Sequence, residues 1–529
     1  MPSTRRLFPL ESDLILLTLL AVFAWAPLTH PGFPQTHAGL LPVFNLHDLG
    51  RRWGDLAWGP AVGRVHDLWR GEGPFPYYLA AALRALGLDG GDAIKAVGGL
   101  AVVVGAWGLY AWARPWLGRG GALLSAVVYA YWPYALAARL VRGAWAEAVW
   151  MGLWPLALWA LEAAKATGQK RNLATLAFAA ALLAWTQAGL AAWAWAALWA
   201  RLLSWREARA RGRVGAALLA GALLGAAGLA PQAVNAGWGG PAPVDFIQHL
   251  VYPFQFFLAG WGDGLSVAGW QDMLPLSLGL AAVGLTVVAW VVGPPTAGRD
   301  LFLFAVGASV VGLFLASTLA APLWSTWPTP ARTLTYPWQL LGLVGPFLAL
   351  LAGAAFPALA GRDQRGEEAA LRRSALHAGL VAMVVLASYA YLQPRYITLT
   401  PPRAPTAILG DHQVMLVDVE VEGALRAGEK IGLTARWQAL KPLDKDYSIF
   451  VHVVDEKGER WGQHDTQPQG GQYPMTRWRV GEVVEDRYEV LIRADGPADG
   501  YRVILGLYDW QTGARLRVGD ADHVVITRG

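Results

Sequence analysis

GGALLSAVVYAYWPYALAARLVRGAWAEAVWMGLWPLALWALEAA, residues 120–164, sets two apolar runs, 120–138 and 147–164, on either side of a short turn holding Arg139, Arg142 and Glu147. A helix that crosses a hydrocarbon core needs ~20 predominantly apolar residues. The stretch therefore reads as two membrane crossings joined by a polar turn at the surface. Further runs that qualify or nearly do lie at 12–28, 92–113, 172–187, 189–204, 214–233, 272–293, 301–320, 337–359 and 374–393, which gives about eleven transmembrane helices. The runs 172–187 and 189–204 are short and separated only by Ala188-Gly189, so one bent hairpin or a re-entrant pair is the alternative there.

Composition agrees with a polytopic α-helical membrane protein: 55% of the 529 residues are hydrophobic and 15% charged. The formal charge of +5 hides a split. Residues 1–402 carry 27 Lys and Arg against 18 acids, whereas residues 403–529 carry 16 against 20. The basic residues sit in short loops between apolar runs, where they act as topology signals, and no nucleic-acid partner is implied. Cysteine is absent, which excludes disulfides and thiol chemistry. The run Leu14 to Pro27 follows Arg5 and Arg6 as a signal peptide would, but Thr29 to Gly32 offers no small-x-small cleavage site, so it reads as a retained first helix. Many of the 28 tryptophans fall near the ends of apolar runs, where an amphipathic ring suits the interface.

Arg5 and Arg6, Arg114 and Arg119, Lys165 with Lys170 and Arg171, Arg201 to Arg213, Arg299, and Arg362 to Arg373 fall on one side when eleven crossings alternate. Lys and Arg in short loops stay cytosolic. The expectation is a plasma-membrane protein with its N-terminus inside and a C-terminal domain outside. A transmembrane domain of residues 1–400 then has a long first outer loop at 29–91, with further outer segments around Arg142, at 234–271 and at 321–336. Within the first loop, Tyr77 to Leu88 reads as a helix lying in the interface.

After Pro401-Pro402 the pattern changes to period-two runs such as Tyr447 to Val454 and Tyr501 to Tyr508, broken at Glu456-Lys457-Gly458 and Gln511-Thr512-Gly513. About eight strands over residues 401–529 predict an extracytoplasmic antiparallel β-sandwich. The polar, Gly-rich segment Gln463 to Trp478 reads either as a connection that caps the sandwich or as a sugar-binding loop.

No cysteine–histidine cluster, phosphate-cradling glycine loop or nucleophile elbow is present, and the apolar cores carry almost no charge, which argues against an ion-coupled carrier. Candidate chemistry gathers on the outer face. The first loop holds His37, His47, Asp48, Asp55, His66, Asp67 and Glu72, followed by Tyr77. A carboxylate at the membrane surface suits a general base for an acceptor hydroxyl, and Arg142, with Arg139 nearby, suits the phosphate of a lipid-linked donor. The alternative for Arg142 and Glu147 is an interfacial salt bridge pinning two helix ends. The scattered Asp and His of the first loop have no spacing assignable to a metal, so no metal or other cofactor is predicted.

Several segments, in order, carry a resemblance: Trp58-Gly-Pro60, Gly71-Glu-Gly-Pro-Phe-Pro-Tyr-Tyr78, Tyr131-Trp-Pro-Tyr134, Val141-Arg-Gly-Ala-Trp-Ala-Glu147, Trp154-Pro155, Asp272 with the apolar run behind it, Leu323-Trp324, and Leu334-Thr-Tyr-Pro-Trp-Gln-Leu-Leu341. Together they resemble the 6-pyruvoyl-tetrahydropterin synthase-related membrane family, which belongs with the C-type glycosyltransferase (GT-C) superfamily. Trp437-Gln-Ala-Leu, Phe450-Val-His452, Gln463-His-Asp465 and Gly506-Leu-Tyr508 are similar to the extracytoplasmic domain that follows such regions in some bacterial proteins. The resemblance implies transfer of a sugar from a polyprenyl-phosphate carrier to a glycan or protein acceptor on the outer face, with a first-loop acid as base. His37, Asp48 and Glu147 are then the catalytic candidates, and Arg139, Arg142, Asp67, Glu72, Tyr77, Arg332 and Gln339 the binding ones. The sequence departs from the family pattern at Ala38 and Pro42, where Asp and His are common, at Thr186-Gln187, where His-Asn is, and at Gln339, where Arg is. A noncatalytic lipid- or glycan-binding protein of the same architecture is the second expectation.

Overall fold

A computed structural model describes residues 12–54, 58, 71–235, 245–258, 261, 266–272, 274–293, 298–326, 333–361, 367–397, 406–410, 413–519 and 521–526. The chain divides into two compact units: residues 1–30 with 45–394, and residues 31–44 with 395–529.

The first unit is helical. Its helices are α1 (Ser12–Trp25), the end of α2 (Leu41–Arg51), α3 (Phe75–Ala85), α4 (Gly90–Ala130), α5 (Pro133–Leu140), α6 (Trp145–Thr167), α7 (Lys170–Thr186), α8 (Ala188–Leu203), α9 (Ala208–Asn235), α10 (Leu280–Val292), α11 (Arg299–Ala316), α12 (Ala321–Thr326), α13 (Leu340–Gly353), α14 (Ala355–Ala360) and α15 (Glu367–Tyr389). α4 has 41 residues. Straight, it would run ~60 Å, about twice a bilayer core. It is not straight: Gly118 adopts φ 67° and ψ −173°, a conformation open to glycine, and the chain doubles back there. A Cβ on Gly105 would lie 3.2 Å from the Tyr129 ring, which only a reversal at Gly118 allows. α7 and α8 reverse likewise at Gln187 (φ −160°, ψ 102°), and the Trp195 indole donates back to the Ala180 carbonyl at 3.1 Å. The two helices therefore fold back on each other, an arrangement that two crossings and a bent hairpin share.

Among the described residues, six stretches are long and apolar enough to cross a membrane: Ser12–Thr29, Gly90–Leu140, Ala208–Pro231, Arg299–Ala316, Pro337–Ala360 and Glu367–Tyr389. The expected eleven crossings are not established by this measure. Gly90–Leu140 contains two of the predicted runs, while α8 and α10 are apolar but short. The run 272–293 becomes helical only at Leu280, because Gly279 (φ 82°) precedes the helix and Leu274, Leu276 and Leu278 are buried from an irregular segment.

Small residues let the helices touch, as membrane packing requires. A Cβ on Gly152 of α6 would fall 2.6 Å from the Ala101 carbonyl of α4. α15 shows the opposite character: little of it is buried, and Leu371 and Leu386 are exposed, as suits a helix facing lipid. Tryptophan serves the core as well as the interface, with Trp150 and Trp154 buried and stacked at 5.8 Å.

The second unit contains β1 (Phe33–Pro34) and β2 (Tyr396–Ile397), paired antiparallel as a two-stranded sheet. Eight further strands, β3 (Ala407–Leu409), β4 (Val414–Glu422), β5 (Lys430–Ala439), β6 (Tyr447–Val454), β7 (Arg460–Thr466), β8 (Val483–Leu491), β9 (Arg502–Asp509) and β10 (Val524–Ile526), form two four-stranded sheets ordered β10-β9-β6-β7 and β3-β4-β5-β8. Both sheets are antiparallel, and one cluster of Trp437, Ile449, Val451, Tyr488, Leu505 and Leu507 fills the space between them. β6 is buried on both faces, because Phe450 and Val454 join Ile504 in a second cluster on the outer side. In the segment Gln463 to Trp478, Met475 and Trp478 are buried in the core, and Tyr473 donates to Glu482 at 2.9 Å. These contacts are those of a cap.

Candidate functional site

The turn that decides the fold also builds the centre of the site. Pro133 opens α5 at its first turn, and Gly143 (φ 66°) swings the chain into α6. Arg142 and Glu147, five residues apart, therefore face each other across the turn. Arg142 Nη1 donates to Glu147 Oε2 at 2.9 Å and Nη2 to Oε1 at 2.8 Å. The Tyr134 hydroxyl donates to Oε1 at 2.5 Å, and Gln339 Nε2 approaches Oε2 at 3.5 Å. The guanidinium lies over the rings of Trp338 (4.6 Å) and Tyr134 (5.1 Å). Arg142 is 8% exposed and Glu147 2%. Burial disfavours the charge on Arg142, but Glu147 and Tyr134 outweigh it and hold the group above its ordinary range. Gln339 turns back on its own chain, its Oε1 accepting the backbone N–H of Thr335 and Tyr336 at 3.1 Å each.

Glu72 lies in the loop before α3. Its carboxylate accepts from the buried Tyr77 hydroxyl and from the backbone N–H of Ala146, and Asn45 Nδ2 donates to Tyr77 at 3.3 Å. Burial pushes the Glu72 carboxyl above the usual range; its two hydrogen bonds pull it down, and the neighbouring Glu147 raises it further. The loop is fixed by close backbone contact: Gly73 N–H donates to the Thr186 carbonyl at 2.8 Å, and a Cβ on Gly73 would sit 2.0 Å from the Trp185 carbonyl oxygen. Trp58 packs edge-on against Tyr77 at 5.8 Å and donates to Asp48 Oδ2 at 3.0 Å, while Arg52 stands 4.0 Å from Asp48. Asp48, Glu72, Tyr77, Arg142, Glu147 and Gln339 thus belong to one connected network within the helical unit.

A second group joins this network. Tyr336 stacks on Trp338 at 4.6 Å and meets His249 edge-on at 5.1 Å. Ser266 donates to Asp272 Oδ2 at 2.5 Å and lies 3.0 Å from His249 Nδ1. With its proton on Asp272, Ser266 can only accept from His249, which leaves the imidazole Nε2 with its lone pair. Burial holds His249 below its ordinary range despite the opposing pull of Asp272 and Asp245, so the ring is neutral near pH 7. His249, Ser266 and Tyr336 were not candidates on the sequence. Asp272 stood out only as part of a motif, because residues 245–272 show no periodicity that would bring these side chains together.

Arg139, on α5, is 4% exposed, and among the described residues its Nη2 has no hydrogen-bond partner. His37 falls in the second unit. Asp67 and Arg332 lie outside the described residues. Beside the network, a cavity of about 260 Å³ is lined by Tyr131, Trp132, Pro133, Leu280, Val384 and Tyr391. Trp132 lies 5.5 Å from the Tyr134 ring.

No curated protein matches the sequence significantly. Among solved structures, the arabinofuranosyltransferase AftD from Mycobacteria matches with 19% identity and a TM-score of 0.50 over 72% of this chain. The match spans 27% of that much longer chain. ArnT from Cupriavidus metallidurans, solved bound to undecaprenyl phosphate, matches with 15% identity and a TM-score of 0.44 over 72% of this chain and 66% of its own. The oligosaccharyltransferase of Archaeoglobus fulgidus matches with 14% identity and a TM-score of 0.39, over 72% of this chain and 52% of that one. The likeness to AftD is one of fold alone. The family model described as 6-pyruvoyl-tetrahydropterin synthase related domain, membrane protein, matches residues 73–397, more than half of the chain, and the protein belongs to that family.

Proposed function

We propose that this protein is a plasma-membrane glycosyltransferase with about eleven crossings, its N-terminus cytoplasmic and its C-terminal β-domain extracytoplasmic. It transfers a sugar from a polyprenyl-phosphate-linked donor to a glycan or protein acceptor on the outer face. The observation that carries this reading is the half-buried Glu72 carboxyl, hydrogen-bonded to Tyr77, raised above its ordinary range and paired in one network with Glu147. A base poised this way takes the proton of the acceptor hydroxyl as its oxygen attacks the anomeric carbon, while the bond from that carbon to the phosphate oxygen breaks and the polyprenyl phosphate leaves. Asp48, held by Trp58 and Arg52, is the alternative base. Arg139, with its unengaged Nη2, is the counter-charge for the phosphate; Arg142, closed bidentately on Glu147, shapes the site. The cavity beside Trp132 suits an apolar chain entering between helices.

Purified protein in lipid, given polyprenyl-phosphate sugars, is expected to turn over a donor. Glu72→Gln is expected to abolish turnover while leaving donor binding, and Arg139→Gln to weaken binding. A second reading, ligand binding without catalysis, is favoured by the engagement of Arg142 by Glu147 and by Ala38 and Pro42 at the family's Asp and His positions. Binding without turnover across several donors selects it.

A further inference from the structure

At the opposite ends of the same helices lies a second polar cavity, of about 210 Å³, lined by Asp13, Arg119, Phe356, Arg373, Ser374 and His377. Four helix ends build it: the start of α1, the turn of α4 just after Gly118, α14, and the first turns of α15. The turn is fixed by packing, since a Cβ on Gly120 would fall 2.3 Å from the Phe356 ring. Asp13 is already committed: it accepts from Arg119 Nε at 2.7 Å and from the Tyr110 hydroxyl at 3.1 Å. Arg373 Nη2 donates to the Gly361 carbonyl at 2.8 Å, yet its Nε is buried and, among the described residues, has no acceptor. His377 Nε2 lies 3.1 Å from the Gly120 carbonyl, so it donates there and spends its N–H on the backbone. Among the described residues, two guanidinium groups stand against one carboxylate, and the buried Arg373 Nε has no acceptor.

We propose that this cavity binds a phosphate group, that of an anionic phospholipid headgroup. Arg373 Nε and Arg119 donate to the phosphate oxygens, with the Ser374 hydroxyl at the rim. The neighbouring helices explain why the phosphate belongs to a lipid. α1 and α15 turn Ile15, Leu19, Leu371 and Leu386 outward, apolar and exposed, so acyl chains have a surface to follow away from the headgroup. The site is separate from the network around Glu72 and does not depend on the transfer reaction.

The test uses the full-length protein in nanodiscs of phosphatidylcholine doped with phosphatidylglycerol, with lipid retained after detergent exchange read by native mass spectrometry. Selective retention of phosphatidylglycerol over phosphatidylcholine, reduced about tenfold in Arg373→Gln at unchanged thermal stability, is the expected result. If Arg373→Gln fails to fold, Ser374→Ala carries the comparison, with a several-fold loss expected. Inorganic phosphate is the second arm. No competition at millimolar concentration supports the lipid source, whereas displacement of the lipid by phosphate, or phosphate binding alone, overturns it in favour of a soluble phosphate ligand. Equal retention of both lipids, or retention unaltered in the variants, overturns the site altogether.

Discussion

Replacing Arg142 and Glu147 singly and together by methionine, which keeps volume but removes charge, tests the centre of the site. Glu147 receives two guanidinium donors at 2.8 and 2.9 Å and a tyrosine hydroxyl at 2.5 Å, and neither member of the pair is more than 8% exposed. Removing one partner from such a pair leaves an uncompensated buried charge and costs about 3–5 kcal/mol, whereas replacing both with apolar groups is often near neutral. Arg142→Met also forfeits the contacts over Trp338 and Tyr134, at about 1–2 kcal/mol, and that loss persists in the double variant. Glu147→Met is therefore expected to lose about 3–5 kcal/mol, Arg142→Met about 4–7 kcal/mol, and the double variant only about 2 kcal/mol, far below the sum of the singles. Reversible unfolding in mixed micelles, followed by tryptophan fluorescence, measures all four proteins on one scale. Additive losses would refute the reasoning, since they would mean that the two side chains act independently.

The raised Glu72 carboxyl makes a pH prediction. If its ionised form is the base, turnover rises with pH through a limb displaced above the ordinary carboxylate value of 4.5, and Glu72→Gln removes that limb. Because the folded state holds this proton more tightly than the unfolded chain, the same group gives stability at low pH that is lost as pH climbs above 4.5. Gly73→Ala is expected to cost about 1–3 kcal/mol and to displace Glu72, because the backbone of Trp185 cannot yield as a side chain would. Gly212→Ala in α9, where a new Cβ meets nothing within 4 Å, serves as the control and is expected to stabilise by about 0.5–1 kcal/mol. In the β unit, burial depresses His452 below 6.5 against the pull of Asp465. Stability present above pH 6.5 is then lost as pH falls toward the folded value, and His452→Gln should flatten the pH dependence of amide exchange in β6 and β9.

Much of the fold was legible because two physical signals are strong. Apolar length announces the helices, and period-two alternation announced β6 and β9. The turn at Arg142 and Glu147 was legible too, since a charged pair between two apolar runs has few places to go, and its bidentate closure is the interfacial bridge weighed as the alternative. The rest depends on contacts that no local pattern encodes. Leu274, Leu276 and Leu278 are as apolar as a helix but lie before the left-handed Gly279. His249, Ser266 and Asp272 meet through an irregular segment, and Arg139, unlike Arg142, has no carboxylate beside it among the described residues.

The pairing of Phe33 with Ile397 imposes a rule of parity. Partners in a backbone hydrogen-bond ladder cannot lie on opposite faces of a bilayer, so the chain between β1 and β2 traverses the membrane an even number of times. An in-frame deletion that removed one traverse would strand β1 on the face away from β2, whereas loss of a whole hairpin such as α7 with α8 would leave the two strands able to meet. Truncations of this protein should therefore be tolerated in pairs of helices and not singly.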